Sequence, residues 1–355
     1  MSSNNFSGNN TAGAITYPRN EESVQPTPVQ PRQPRNLQGL LRFAMEATKA
    51  EDAPGNSELG PMDEERRKFL EEALKSLTVD VAKVLQEAIK VLTNTEKMHS
   101  IQLGDILPDD VKTSFNNLLE FIDDIDVAND FYKMGGFVIF PICYGSENEE
   151  IRTLASTVLA ELCQNNPFCQ ARALECGLLN VLLNLVNTER GEALAKCLYA
   201  ISCSTREFEP SCRELVAQGG CETLAQLLQD MEPAVRTKAA FLIRYLCNTY
   251  NDAKEQFIAL NLVKMITDQI RAGRDLTTEH LLSILYCLIE DLDQTVLAQC
   301  RDPTTGLKKV LEEHLKHPDL ISDQFTEEKQ YCQEILSRVF EGCPQFDSVV
   351  NEADR

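Results

Sequence analysis

The chain has 355 residues, with 34 Lys and Arg against 55 Asp and Glu and a formal net charge of −21. That balance excludes proteins that wrap duplex nucleic acid or coat an anionic membrane, because both need a basic surface. With 43% apolar residues there is material for a sizeable core, and the weight of Leu, Ala, Glu, Lys and Gln beyond residue 60 favours helix over a secreted β-sandwich.

Residues 1–62 read as a disordered region, rich in Asn, Ser, Gly and Gln, with five prolines between Pro18 and Pro34. Such a composition buries too little apolar surface to offset its ordering entropy. One short amphipathic helix is expected inside it, near 36–49: Asn36 suits an N-cap, and Leu37, Leu40, Leu41 and Ala44 share one face. Met1 to Asn10 are polar with no apolar h-region, and no apolar run approaches the roughly 20 residues of a membrane helix. The expected location is the cytosol.

The folded body is expected to open with a helical cap over 63–111, Asp63 capping Glu64–Leu77 and Val79–Leu92 continuing in helical period. From there the chain repeats itself. A turn residue recurs at Gly136, Gly177, Gly220, Asn261 and Gly306, at intervals of 41, 43, 41 and 45. Ala155, Cys197, Ala239 and Leu281 follow one another every 42 residues, each with an apolar partner four residues on: Leu159, Ile201, Ile243 and Leu285. A period near 42 in a purely helical pattern predicts a helical solenoid. Four repeats are expected over 112–316, a capping helix over 317–341 and a frayed tail over 342–355.

The best-formed unit runs from a helix ending at Leu215-Val216-Ala217-Gln218, through Gly219-Gly220, to a second helix with Leu224, Leu227 and Leu228. Pro233 opens a third, with Ala239, Leu242, Ile243 and Leu246 turned inward. This unit closely resembles the armadillo repeat. The resemblance implies an all-α, right-handed armadillo superhelix with helical caps, whose third helices line a concave face. By register, one row there is Thr157, Tyr199, Phe241 and Ser283, and the next is Glu161, Cys203, Tyr245 and Cys287. Peptide-reading armadillo proteins such as nuclear import receptors carry Trp on the first row and Asn on the second. Here the rows hold no Asn and the chain holds no Trp, which disfavours a scaffold or transport adaptor for linear peptides. The flanking rows add Leu154 and Gln164, Lys196 and Arg206, Lys238 and Asn248, and His280 and Glu290. Lys196, Arg206 and Lys238 form a basic strip at mid-groove that would steer an acidic partner; the plainer alternative is three solvated side chains.

Neither metal nor catalytic chemistry is expected. Cys163, Cys197, Cys203, Cys247 and Cys287 sit singly at apolar positions, no C-x-x-C occurs, and His99, His280, His314 and His317 lack a ligand cluster. The cysteines read as small buried hydrophobes in a reducing compartment. There is no phosphate loop, H-E-x-x-H or G-x-S-x-G, so no catalytic residue and no cofactor is assigned.

Several segments, in order, resemble the armadillo-type nucleotide-exchange factors of 70-kDa heat-shock chaperones. They are Pro34-Arg35-Asn36-Leu37-Gln38-Gly39-Leu40-Leu41, Glu64-Glu65-Arg66-Arg67-Lys68-Phe69-Leu70, Ala128-Asn129-Asp130-Phe131, Ala200-Ile201-Ser202-Cys203, Cys300-Arg301-Asp302-Pro303 and Gly306-Leu307. The likeness spans roughly residues 34–315 and leaves out 93–107. It implies a monomeric co-chaperone whose concave face binds the nucleotide-binding domain of a cytosolic chaperone and promotes ADP release, with neither nucleic acid nor membrane as partner. The endoplasmic-reticulum branch of the family would need a signal peptide. On this view the docking face holds Thr157, Glu161, Lys196, Tyr199, Cys203, Arg206, Lys238, Phe241, Tyr245, Asn248, Ser283 and Cys287. Leu37, Leu40, Leu41 and Phe43 are the candidates for a segment assisting substrate release.

Overall fold

The computed structural model describes Lys68 and residues 79–341. The expected helix near 36–49, with Leu37, Leu40, Leu41 and Phe43, lies outside the described residues, as does the tail from 342. The chain divides after Asp80 into two units, and the second holds every helix from Val81 onward.

Among the described residues all regular structure is helical. Three helices come first: α1 (Val81–Leu92), α2 (Thr95–Ser100) and α3 (Asp109–Phe121). The next three are α4 (Ile125–Lys133), α5 (Ile139–Tyr144), entered through a single 3-10 turn, and α6 (Glu149–Cys163). The pattern repeats as α7 (Pro167–Glu175), α8 (Leu178–Thr188) and α9 (Gly191–Thr205), then α10 (Glu209–Ala217), α11 (Gly220–Leu227) and α12 (Pro233–Thr249). It continues with α13 (Asn251–Ala259), α14 (Leu262–Ala272) and α15 (Thr278–Ile289), then α16 (Gln294–Arg301), α17 (Leu307–His314) and α18 (Thr326–Leu336). The helix read from sequence as a terminal cap is thus the third member of the fifth triplet counted from α4. None of these helices is long and apolar enough to cross a membrane.

The third helices α6, α9, α12, α15 and α18 stack in sequence, with α3 ahead of α6. The 42-residue recurrence explains why. Ala155, Cys197, Ala239 and Leu281 are buried where neighbouring third helices meet, and the first three are small enough to let backbones approach closely. No triplet buries its own apolar face, so one continuous core runs from Leu85 to Val339. Arg152 on α6 pairs with Glu189 and Arg236 on α12 pairs with Asp275, each reaching into the next repeat.

The left-handed residue before each second helix is Gly135, Gly177, Gly219, Asn261 or Gly306, with φ of 81°, 70°, 78°, 56° and 66°. Two of the five sequence-assigned turn positions therefore shift by one residue, from Gly136 to Gly135 and from Gly220 to Gly219, and the first three intervals become a uniform 42. The second glycine of each pair serves packing instead. A Cβ on Gly136 would lie 2.5 Å from the Phe131 ring, and one on Gly220 would lie 2.5 Å from the Leu215 side chain and 2.6 Å from its carbonyl oxygen. These glycines let the second helix press against the first.

No disulfide forms among the described cysteines. Burial pushes the Cys197 and Cys203 thiols up to about 11, so both stay protonated and inert at neutral pH.

A concave face with a tyrosine-braced cationic centre

The exposed edges of the third helices form a concavity whose centre lies between α9 and α12. Gln164, Tyr199, Cys203, Arg206, Lys238 and Phe241 line it together, with Asn165, Leu198 and Ser202. Two tyrosines brace it from one repeat to the previous one. The Tyr199 hydroxyl lies 3.1 Å from Glu161 Oε1 and 3.2 Å from Gln164 Oε1, tying α9 to the end of α6. The Tyr245 hydroxyl accepts the Glu207 backbone N–H at 2.6 Å, where Glu207 turns through a left-handed φ of 57°. Both hydroxyls are thus engaged within the fold, and the rings stand as fixed platforms.

Two of the predicted cations rest on those platforms. Lys238 Nζ lies 5.2 Å from the Tyr199 ring centre, and the Arg206 guanidinium 5.8 Å from that of Tyr245, distances at which a cation is drawn to the ring face. Lys238 titrates below the ordinary lysine range, chiefly because partial burial disfavours its charge and secondly because Lys196 lies near. Arg152 and Arg236 have carboxylate partners, whereas Lys196, Arg206, Lys238 and Arg244 form no ion pair among the described residues.

Arg244 escaped the sequence reading, although it sits three residues beyond Phe241 and so on nearly the same helix face. Its positive charge reaches α15, where it lowers His280 after the larger effect of burial. His280 in turn packs on Phe241, ring centres 4.3 Å apart. Phe241 is the one aromatic of the cluster with an exposed ring face, at 45%. Gln164 and Ser202, left out of the sequence-derived docking set, also line the centre.

The remaining predicted residues fall into two groups. Thr157 and Glu161 on α6 are half-covered, and Asn248 at the end of α12 is exposed. Ser283 and Cys287, expected on the same rows, are buried at 2% and 4% exposure and are removed from the docking face. Their side chains are too short to emerge. The Ser283 hydroxyl donates to the His280 carbonyl at 2.7 Å, and the Cys287 thiol lies 2.6 Å beneath Asn248 Oδ1. Tyr286, beside them on α15, is half-buried, and its hydroxyl takes a 2.9 Å hydrogen bond from Arg338.

Comparison with known proteins agrees with this architecture. Residues 37–131 match the family model described as nucleotide exchange factor Fes1, and residues 127–269 match the SIL1/FES1/HPBP1 C-terminal domain. The mouse Hsp70-binding protein 1 is 27% identical over 334 residues, covering 90% of this chain and 89% of its own length. The Hsp70 nucleotide exchange factor FES1 of Mycosarcoma maydis is 27% identical over 165 residues, 46% of this chain and 40% of that protein. Among solved structures, a designed armadillo repeat protein in complex with a (KR)4 peptide superposes with a TM-score of 0.56 at 14% identity, covering 72% of this chain and 99% of that one, a likeness of fold. The two family models join without a gap from residue 37 to 269, across the α9–α12 centre of the concave face, and the chain belongs to the SIL1/FES1/HPBP1 family of nucleotide exchange factors.

Proposed function

We propose that this co-chaperone binds the nucleotide-binding domain of a cytosolic 70-kDa heat-shock chaperone through its concave face, as a monomer, and promotes ADP release by holding that domain open. The observation that carries the reading is the group of four cations without ion pairs among the described residues, Lys196, Arg206, Lys238 and Arg244, set around exposed Phe241 in a chain of net charge −21. Such a centre attracts an acidic, folded surface and gives it one apolar anchor. The Tyr199 and Tyr245 braces fix the cations before any partner arrives, so little conformational entropy is lost on docking.

Exchange then needs no catalytic side chain. A surface that prefers the open form of the chaperone shifts its population towards that form, and nucleotide affinity falls with it. The coupling is reciprocal: ADP must weaken binding of the exchange factor by the same factor that the exchange factor weakens ADP. A peptide-adaptor role fits less well. The positions where peptide readers carry asparagine are held by Glu161, Cys203, Tyr245 and Cys287; Cys287 is buried, and the Tyr245 hydroxyl is already bonded to Glu207.

Stopped-flow release of a fluorescent ADP analogue from a purified cytosolic 70-kDa chaperone tests the proposal. The release rate is expected to rise with added protein and saturate, while the protein alone hydrolyses no nucleotide. An unchanged rate at saturating protein contradicts it.

A further inference from the structure

The two edges of the concave face differ in chemistry. Among the described residues the five most exposed large aliphatic side chains are Ile106 (94%), Met231 (90%), Ile321 (86%), Leu276 (84%) and Leu103 (72%). Met231, Leu276 and Ile321 lie in connections that lead into third helices, and Leu103 and Ile106 in the loop before α3, which stacks ahead of α6, so all five lie along one edge of the stack. Three of them occupy consecutive loops: Met231 before α12, Leu276 before α15 and Ile321 before α18. At the opposite edge, α9, α12 and α15 end in exposed polar residues: Arg206 and Glu207, Asn248 and Thr249, Glu290 and Asp291.

The apolar edge is also rigid. Arg236 Nη1 donates to the carbonyls of Asp230 at 2.6 Å and Met231 at 3.0 Å, while its other nitrogen pairs with Asp275 in the next loop. Arg274 of that loop reaches on to Asp319 at 3.0 Å and Glu328 at 2.9 Å, and stacks 4.0 Å from the Phe325 ring centre. Two arginines thus staple the three loops in series. Folding secures the loop backbones yet leaves Met231, Leu276 and Ile321 in water, an arrangement that contributes nothing to the fold's own stability.

We propose that this stapled edge is a second part of the docking surface, on which an apolar shoulder of the same chaperone domain rests, so that the partner leans towards the starts of the third helices. The inference rests on the groove reading. Continuity identifies the occupant: Met231 lies seven residues before Lys238 and Leu276 four before His280, so a lobe seated on the cationic centre is within reach of this edge. Neighbouring third helices lie about 8–10 Å apart, so the three side chains span roughly 20 Å, the breadth of a small lobe's flank.

The test compares three variants in binding to the purified nucleotide-binding domain by surface plasmon resonance at two salt concentrations. They are the apolar-edge triple Met231→Ser, Leu276→Ser, Ile321→Ser; the polar-edge double Thr249→Ser, Glu290→Ser; and the groove double Lys196→Glu, Lys238→Glu. The apolar-edge triple is expected to bind at least tenfold more weakly, mainly through faster dissociation and equally at both salts, with the polar-edge double within twofold of wild type. Wild-type affinity in the triple alongside lost affinity in the groove double overturns the edge and leaves the groove reading standing. Wild-type affinity in both overturns both. Sedimentation of the free protein is run beside it: self-association in wild type that the triple abolishes would assign the edge to a second copy and overturn the proposal. Leu276→Ser alone serves if the triple loses helicity, with a threefold or greater weakening expected and an unchanged affinity overturning the proposal.

Discussion

At the scale of single residues, the paired glycines separate two physical demands that a sequence shows as one. Gly219 satisfies backbone geometry and Gly220 satisfies a contact, and the choice between neighbours is made by Leu215, a residue that the turn pattern does not include. Gly220→Ala is expected to cost about 1–3 kcal/mol through overpacking against Leu215. Gly177→Ala, where an added Cβ meets nothing within 4 Å, is expected to cost about 1–2 kcal/mol from the left-handed backbone alone. Thermal melts of the two variants check the contrast: a second substitution at Leu215→Ala should rescue Gly220→Ala in part and Gly177→Ala not at all.

Glu328 makes a second residue-scale case. Burial by itself would raise its carboxyl, but hydrogen bonds from His314 at 2.7 Å and Arg274 at 2.9 Å outweigh that and hold it below the ordinary glutamate range. A depressed folded-state pKa contributes stability that is complete above the unfolded value of about 4.3 and fades as pH falls through the folded value. Acid melts should therefore show a loss below about pH 4.3 that Glu328→Gln removes. At pH 7 the same substitution leaves the Arg274 charge buried with only exposed Asp319 for a partner, and is expected to cost about 3 kcal/mol.

At the scale of elements, the helices and their period were legible because both are local. Apolar spacing of three and four residues marks each helix, and Gly, Asn or Pro marks its ends. The α15 face was not legible. Its register with α9 and α12 is correct, yet Ser283 and Cys287 vanish from the surface because exposure depends on side-chain length and on what neighbours such as Asn248 and His280 cover. The arginine staples were likewise hidden, since Arg236 and Asp275, or Arg274 and Glu328, lie 39 and 54 residues apart in sequence. Tyr245→Phe tests the inter-repeat brace. Losing the acceptor for the Glu207 N–H is expected to cost about 0.5–1.5 kcal/mol and to speed amide exchange at Glu207, read by hydrogen-exchange mass spectrometry.

At the scale of the whole molecule, the charge distribution is what gives the fold a direction. A net charge of −21 sets the field of the chain, while the α9–α12 centre gathers Lys196, Arg206, Lys238 and Arg244 without carboxylate partners among the described residues. Lys238 already carries its charge at a cost from burial and from Lys196, so an acidic partner would raise its pKa. Binding should therefore take up protons at alkaline pH and weaken as pH rises through the titration of Lys238 in the complex. Docking on the concave face is tested most directly by calorimetric binding of the chaperone's nucleotide-binding domain to the wild-type chain and to Lys196→Glu, Lys238→Glu, with helicity and melting temperature matched. The double variant is expected to lose at least tenfold in affinity and to show a shallower salt dependence. Wild-type affinity with an unchanged salt dependence would show that the chaperone docks somewhere other than the concave face.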